Sequence, residues 1–181
     1  MHQQGKISTM EYRKAKLEDL DAVDKFYGLV IDGMQESPYS PGWTRGVYPS
    51  RKMLEDFILE NALTIGIDDN EIISAFALND RFPEEWNLGH WSDYPESAIH
   101  ALHSLAVKPS TQRKGLGLSA VLEAIETAKR EGKKTIRLDV AAQNTIARKL
   151  YEKAGFTYLE TITIEYAVGG RSHYALYEYN L

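Results

Sequence analysis

The chain has 181 residues, 43% hydrophobic and 26% charged, which is the composition of an ordinary globular protein of one domain. It contains no cysteine, and this excludes disulfides, thiolate metal sites, iron–sulfur ligation and a cysteine nucleophile. Its 21 basic and 26 acidic residues leave a formal charge of -5, which argues against a nucleic-acid partner.

Residues 1–9, MHQQGKIST, have no apolar core of a secretory signal and are expected to form an N-terminal extension or leader ahead of a domain over residues 10–181. From Met10 to Ala15 a first short strand is predicted. Leu17, Leu20, Val23, Phe26, Tyr27, Val30, Ile31 and Met34 recur at helical spacing and predict a helix to about Gln35. The run Ser37 to Pro49 holds Pro38, Pro41, Gly42, Gly46 and Pro49, so it reads as a loop. A second helix is predicted from Ser50, as N-cap, to Asn61. Leu63–Ile67 and Glu71–Leu78 flank Asp68-Asp69-Asn70 and predict a hairpin.

Asn79 to Ser97 is long, irregular and aromatic, the kind of stretch that tends to be functional in a compact domain. Strands are then predicted over Ala98–Val107 and Thr135–Val140, and helices over Gly117–Glu131 and Asn144–Ala154, the latter stopped by Gly155. Two last strands, Phe156–Val168 and Ser172–Leu181, meet at Gly169-Gly170. Strands interleaved with helices and closed by a hairpin make an α/β domain with a mixed sheet. No apolar run reaches the roughly 20 residues that cross a bilayer, so no membrane partner and a cytoplasmic location are expected.

The chemistry concentrates where the strand to Val107 hands over to the next helix. Gly115 and Gly117 leave backbone N–H groups unobstructed at a helix start, where the dipole favours an anion. Arg113 and Lys114 add cationic donors, so a phosphate or pyrophosphate fits. The spacing matches neither the P-loop nor the dinucleotide fingerprint, since Ala120 stands where a third glycine belongs and no Gly-Lys-Ser/Thr follows. A strand-to-helix turn with glycines for geometry alone has the same appearance. His2, His90, His100, His103 and His173 show no metal-ligand spacing, so no metal is expected.

Gln112-Arg113-Lys114-Gly115-Leu116-Gly117 resembles the Q/R-x-x-G-x-G/A signature of the GNAT superfamily of acyl-CoA-dependent N-acetyltransferases. Leu105-Ala106-Val107 before it, Asn144 after it and Leu150-Tyr151-Glu152-Lys153-Ala154-Gly155-Phe156 match the same family in order and spacing. The resemblance implies a single-domain fold with a twisted, mostly antiparallel mixed sheet of about seven strands and about four helices. It implies acetyl-CoA as cosubstrate, with pantetheine entering where the strand of Leu105, Ala106 and Val107 splays from its neighbour. Gln112, Arg113, Lys114, Gly115, Leu116, Gly117, Leu118 and Ser119 would then surround the pyrophosphate, and Asn144 would contact the cofactor. Tyr151 would lie at the thioester sulfur and protonate the departing thiolate, a role suited to a phenol in a dry cleft.

A base must free the lone pair of the attacking amine. His103 is the candidate, because imidazole titrates near neutrality and because Leu102 to Val107 resembles the same strand in arylalkylamine N-acetyltransferases. Those enzymes carry a second histidine where Ala101 stands here, and His100 points to the other face of a regular strand. A satisfied core histidine is the competing reading. Acceptor recognition falls to the two loops, one with Tyr39, Trp43 and Tyr48, the other with Phe82, Trp86, Trp91 and Tyr94 among five carboxylates. Aromatic faces with carboxylates suit a cation, although such rings also pin loops to the body. The C-terminal hairpin, with Tyr166, Tyr174, Tyr177 and Tyr179, is expected to line the cleft or to form a homodimer interface. The resulting reading is acetyl transfer to a primary amine of a small molecule by direct attack. The alternatives are a protein N-terminal or lysine acetyltransferase and a non-catalytic acyl-CoA sensor.

Overall fold

A computed structural model describes residues 10–111, 115–166 and 170–181. Their seven strands form one sheet in the order β1-β2-β3-β4-β5-β7-β6, with β1 Glu11–Lys14, β2 Leu63–Asp68, β3 Glu71–Asn79, β4 Ile99–Val107, β5 Thr135–Ala141, β6 Thr157–Tyr166 and β7 Gly170–Asn180. Every pairing is antiparallel except β4 with β5. The helices are α1 Leu20–Met34, α2 Arg51–Leu59, α3 Leu116–Arg130 and α4 Thr145–Ala154. This is the α/β architecture expected from the chain order.

Local chemistry explains most of the element ends. Ser50 caps α2 by accepting from the Met53 N–H at 3.2 Å, and Asn144 caps α4 by accepting from Ala147 N–H at 3.1 Å. Asp69 and Asn70 both take left-handed φ, 46° and 62°, as a two-residue turn with the twist of a hairpin demands. The helix predicted from Leu17 starts instead with a 3-10 turn, Leu17–Asp19, before α1. The Asp19 carboxylate accepts from Lys16 N–H and from both terminal nitrogens of Arg13, which fixes the chain entry before α1 can begin.

Strand β3 shows how the layers are built. Ala75 and Ala77 pack into the cluster of α1, α2 and β2, with Val23, Tyr27, Val30 and Leu54. Phe76 and Leu78 point the other way, into the cluster of α3, β5 and β7, with Val121, Ile125, Ile136 and Tyr177. Alternation puts neighbouring residues on opposite faces, and both faces are covered, so the strand is apolar from Ala75 to Leu78. A third cluster joins Trp86, Ala101, Ile162 and Leu176 over the part of the sheet beyond the first cluster. Trp86 belongs to a 3-10 turn, Glu84–Leu88, inside the stretch expected to be irregular.

Candidate functional site

Strands β4 and β5 are in register only over Ile99 to Ala101 against Thr135 to Arg137, although both run several residues further. Beyond that point they diverge. The gap is widened by a bulge in β4: between the pairs Ala75–Ala106 and Ala77–His103, β4 carries one residue more than β3. Ser104 sits at the bulge with φ 52°, a left-handed conformation uncommon for a side chain other than Gly or Asn. Two hydrogen bonds hold it. Tyr27 of α1 donates its hydroxyl to the Ser104 carbonyl at 2.7 Å, and Ser104 Oγ donates to the Tyr48 hydroxyl at 2.9 Å. The Tyr48 ring in turn lies 5.8 Å from Trp43, which is 6.2 Å from Tyr27.

The divergence opens a cleft of about 710 Å³. One wall is β4 from Leu102 to Val107, and the other is the end of β5 with α4. The mouth is formed by the end of α1 and the loop between α1 and α2. At the floor, Gly115 and Gly117 occupy the start of α3. Gly115 has φ 76°, so a side chain there would be strained, and the space around its missing Cβ is open. A Cβ on Gly117 would meet Leu150 Cδ2 of α4 at 3.1 Å, so the small residue lets the two helices approach.

Leu105, Ala106, Val107, Gly115, Gly117, Leu118, Asn144, Tyr151 and His103 all line this one cleft, as the sequence reading grouped them. Leu116 and Ser119 do not line it: the Ser119 hydroxyl accepts from Tyr12 at 2.8 Å on the far side of α3. Gln112, Arg113 and Lys114 lie outside the described residues. The side-chain oxygen of Asn144 is committed to its capping bond, which leaves its amide nitrogen for a ligand.

Tyr151 is buried on α4, with its ring 5.7 Å from Phe156 and 6.2 Å from Tyr177. Burial, followed by the charge of Asp139 and the neighbouring Tyr48, pushes its phenol far above the ordinary value, so the proton stays on at any physiological pH. His103 is held between two ring planes, Phe57 at 6.3 Å and Trp86 at 6.4 Å, both nearly parallel to it. Its Nε2 is 3.0 Å from the Arg81 carbonyl, which can only accept, so Nε2 carries the proton and Nδ1 the lone pair. Burial lowers the imidazole's affinity for a second proton, an effect the Arg81 bond opposes. His100 faces away, between Glu131 at 2.5 Å and Asp80 at 2.8 Å, as strand alternation predicted.

The two aromatic loops separate. Tyr39, Trp43 and Tyr48 of the first line the cleft, together with Tyr174 of β7. Phe82, Trp86, Trp91 and Tyr94 of the second do not, which corrects half of the expectation. Trp86 and Trp91 lie 4.9 Å apart over the sheet with their rings tilted by 42°, and the Trp91 indole donates to the Trp86 carbonyl at 2.9 Å. The Trp86 indole donates to Asp139 Oδ2 at 2.6 Å. Asp139 is the residue that sequence reasoning missed: it lines the cleft from β5, where burial raises the pKa of its carboxyl. The sequence carried no distinct signal for it, because Arg137 and Asp139 alternate with Ile136, Leu138 and Val140 as on an amphipathic strand. Alternation alone assigned that position to solvent.

A strand pair opened by a bulge and a glycine turn at a helix start thus border one cleft of this α/β fold. The model of the acetyltransferase (GNAT) family matches residues 31–156. The chain belongs to that family. Mycothiol acetyltransferase of Beutenbergia cavernae is 34% identical over 67 residues, 37% of this chain and 23% of that protein. The L-methionine sulfoximine/L-methionine sulfone acetyltransferase of Salmonella typhimurium is 27% identical over 90 residues, 50% of this chain and 47% of that one. The matched part of the chain thus spans from about a quarter to about half of these relatives' lengths. Among solved structures, a GNAT-family acetyltransferase from Streptococcus agalactiae superposes with a TM-score of 0.79 at 19% identity, covering 95% of both chains. YncA of Salmonella typhimurium, solved with its cofactor acetyl-CoA, superposes with a TM-score of 0.69 at 18% identity, covering 96% of this chain and 95% of its own. Both likenesses concern the fold. Among the described residues no helix is long and apolar enough to cross a membrane, and no group of His, Asp and Glu is arranged to hold a metal.

Proposed function

We propose that the protein transfers the acetyl group of acetyl-CoA to a primary amine of a small molecule, by direct attack with both substrates bound. The observation that carries this reading is the juxtaposition in one cleft of a glycine-lined helix start, a protonated phenol and a neutral imidazole. The residues fit the cosubstrate. The opened edge of β4 from Leu105 to Val107 suits the amides of pantetheine, and the start of α3 at Gly115 to Leu118 suits a pyrophosphate. Gln112, Arg113 and Lys114 belong to this cradle by sequence, and Asn144 offers its amide from the opposite wall. Acetyl-CoA would supply the activated thioester.

The chain's own residues supply positioning and proton management. His103, with Nε2 pinned by the Arg81 carbonyl, is suited to take the ammonium proton, directly or through water. Tyr151, which keeps its proton at any physiological pH, is suited to donate a hydrogen to the departing sulfur. Most of the rate would come from holding amine and thioester together in a cleft shielded by Trp43 and Tyr48. That enclosure favours a small acceptor over a folded protein surface.

Two measurements test this. Calorimetry should show acetyl-CoA binding, and thiol release should depend on an added amine drawn from amines, polyamines, amino acids and peptides. Absence of acetyl-CoA binding overturns the reading outright. Thiol release with peptides alone moves the acceptor to the protein class.

A further inference from the structure

We propose that Asp139 anchors the positive charge of the acceptor, and that the acceptor is an alkyl- or arylalkylammonium without a carboxylate beside the amine. The inference rests on the acetyl-transfer reading and names the acceptor class for that same cleft.

The first observation is where the carboxylate stands. Asp139 lies on β5 two residues past the last β4–β5 pair, so its side chain enters the cleft where the strands have parted. One oxygen is fixed by the Trp86 indole at 2.6 Å. Asp139 lines the same cleft as Tyr151 and Tyr48, so the general acid and the aromatic loop border the space it faces. A nitrogen bound there is close to the point where the thioester must sit.

The second observation is the lack of a cation. Among the described residues no Lys, Arg or His lies within ion-pair distance of Asp139. Arg137, the nearest basic residue along the strand, is used elsewhere, with Nε 3.1 Å from Glu178 and a terminal nitrogen donating to the Ser92 carbonyl at 2.6 Å. A half-buried carboxylate without a counter-ion is costly, and a bound ammonium would relieve that cost.

The third is the rest of the lining. Asp139 is the sole acid among the described residues around the cleft, and His103 and Lys153 are the sole basic ones. Lys153 sits in the last turn of α4, and His103 has committed Nε2 to the backbone. No arginine among those residues is available to take a carboxylate in a two-pronged pair, the usual partner for an amino-acid substrate. The remaining walls near the mouth, Tyr39, Trp43 and Tyr48, are ring faces that suit an alkyl or aryl body and add cation–π attraction.

The test compares full-length wild type with Asp139→Asn. Asparagine keeps an oxygen to accept from Trp86 and removes the charge. The probes are 2-phenylethylamine and hexylamine as cations, phenylalanine as the same aryl body with a carboxylate, and phenylacetohydrazide as an uncharged nucleophile. Acetyl-CoA affinity is measured for both proteins. Wild type should prefer 2-phenylethylamine to phenylalanine by at least about tenfold. Asp139→Asn should lower kcat/KM for the cationic amines by about 30-fold or more, mainly through KM, the loss expected when one partner of a buried charge pair is removed. It should change the hydrazide by less than about threefold and leave acetyl-CoA affinity unaltered. An equal loss for the hydrazide and the amines would make Asp139 a structural residue and overturn the inference. So would phenylalanine as the better substrate, or a wild type that binds acetyl-CoA yet acetylates neither cationic amine. Loss of acetyl-CoA binding in wild type would overturn the acetyl-transfer reading instead, which keeps the two failures apart.

Discussion

The loop of residues 37–49 and the stretch 79–97 look alike in the sequence: both are long, both are broken by proline and both are rich in rings. In the fold they do opposite work. The first lies over the cleft, tied to the body by the Arg45–Asp32 ion pair and by Tyr48 on the Ser104 bulge, and it presents Trp43 and Tyr48 to the space where an acceptor would sit. The second turns its rings inward. Trp86 is 4% exposed and covers the sheet over Ala101 and Leu176, where an α/β domain would ordinarily lay a helix. Aromatic content in a loop therefore reports neither binding nor packing by itself. What decides is whether the surface beneath is already covered. Below 37–49, α1 and α2 have sealed the sheet, whereas below 79–97 the sheet is bare.

Substitutions can break that contrast. The largest effect belongs to Trp86→Ala, which should cost about 3–5 kcal/mol in denaturant unfolding and lower the melting temperature by roughly 10 °C. It removes the donor to Asp139 and one of the two rings that hold His103, so activity should fall even at temperatures where the chain stays folded.

Next come the two groups assigned to proton transfer. Tyr151→Phe and His103→Gln should each lower kcat by about 10²-fold without changing acetyl-CoA affinity. The sign of the pH effect separates them. Burial depresses the imidazole, so the neutral base persists below its ordinary value of about 6.5, and the wild-type rate should decline only on the acid side of that value. His103→Gln should abolish that limb, whereas Tyr151→Phe should keep it.

Smaller again is Trp43→Ala, expected to raise the acceptor KM about tenfold through lost ring contact while costing only about 1–2 kcal/mol of stability. If Trp43→Ala proved more destabilising than Trp86→Ala, the division of labour between the loops would be reversed. The smallest effect has the opposite sign. The folded state raises the Asp139 pKa, so it binds a proton more readily than the unfolded chain, and stability falls as pH rises from the unfolded carboxyl's value through the raised one. Asp139→Asn should therefore melt about 2–4 °C higher than wild type at pH 7.5, with the difference vanishing at pH 3. A residue that weakens the free protein while facing the cleft is what a charge-binding site requires.

How much of this the sequence announced depends on the range of the interactions. The hairpin turn within Asp68-Asp69-Asn70, the cap at Ser50 and the left-handed stop of α4 at Gly155 are decided within a few residues, and each was legible. The strands β3, β4 and β5 were legible too, to within one residue at each end. The grouping of Leu105 to Val107, Gly115 to Leu118, Asn144 and Tyr151 was legible through the resemblance to the GNAT signature, since these residues sit on two separate strand-to-helix units that only the fold brings to one cleft.

The site's acceptor side was decided elsewhere. The bulge at Ser104 depends on Tyr27, 77 residues earlier in the chain, and on Tyr48, 56 residues earlier. The orientation of His103 depends on the Arg81 carbonyl and on rings from α2 and the 79–97 stretch. Asp139 reads as a solvent-facing position of an amphipathic strand until Trp86, 53 residues away, closes over it. Periodicity and capping report local preferences, and by themselves they determined the fold class, while the grouping of the motif residues came from their resemblance to a family signature. Which face of a strand is finally covered, and by which distant ring, is a property of the packed chain, and only the tertiary structure decided it.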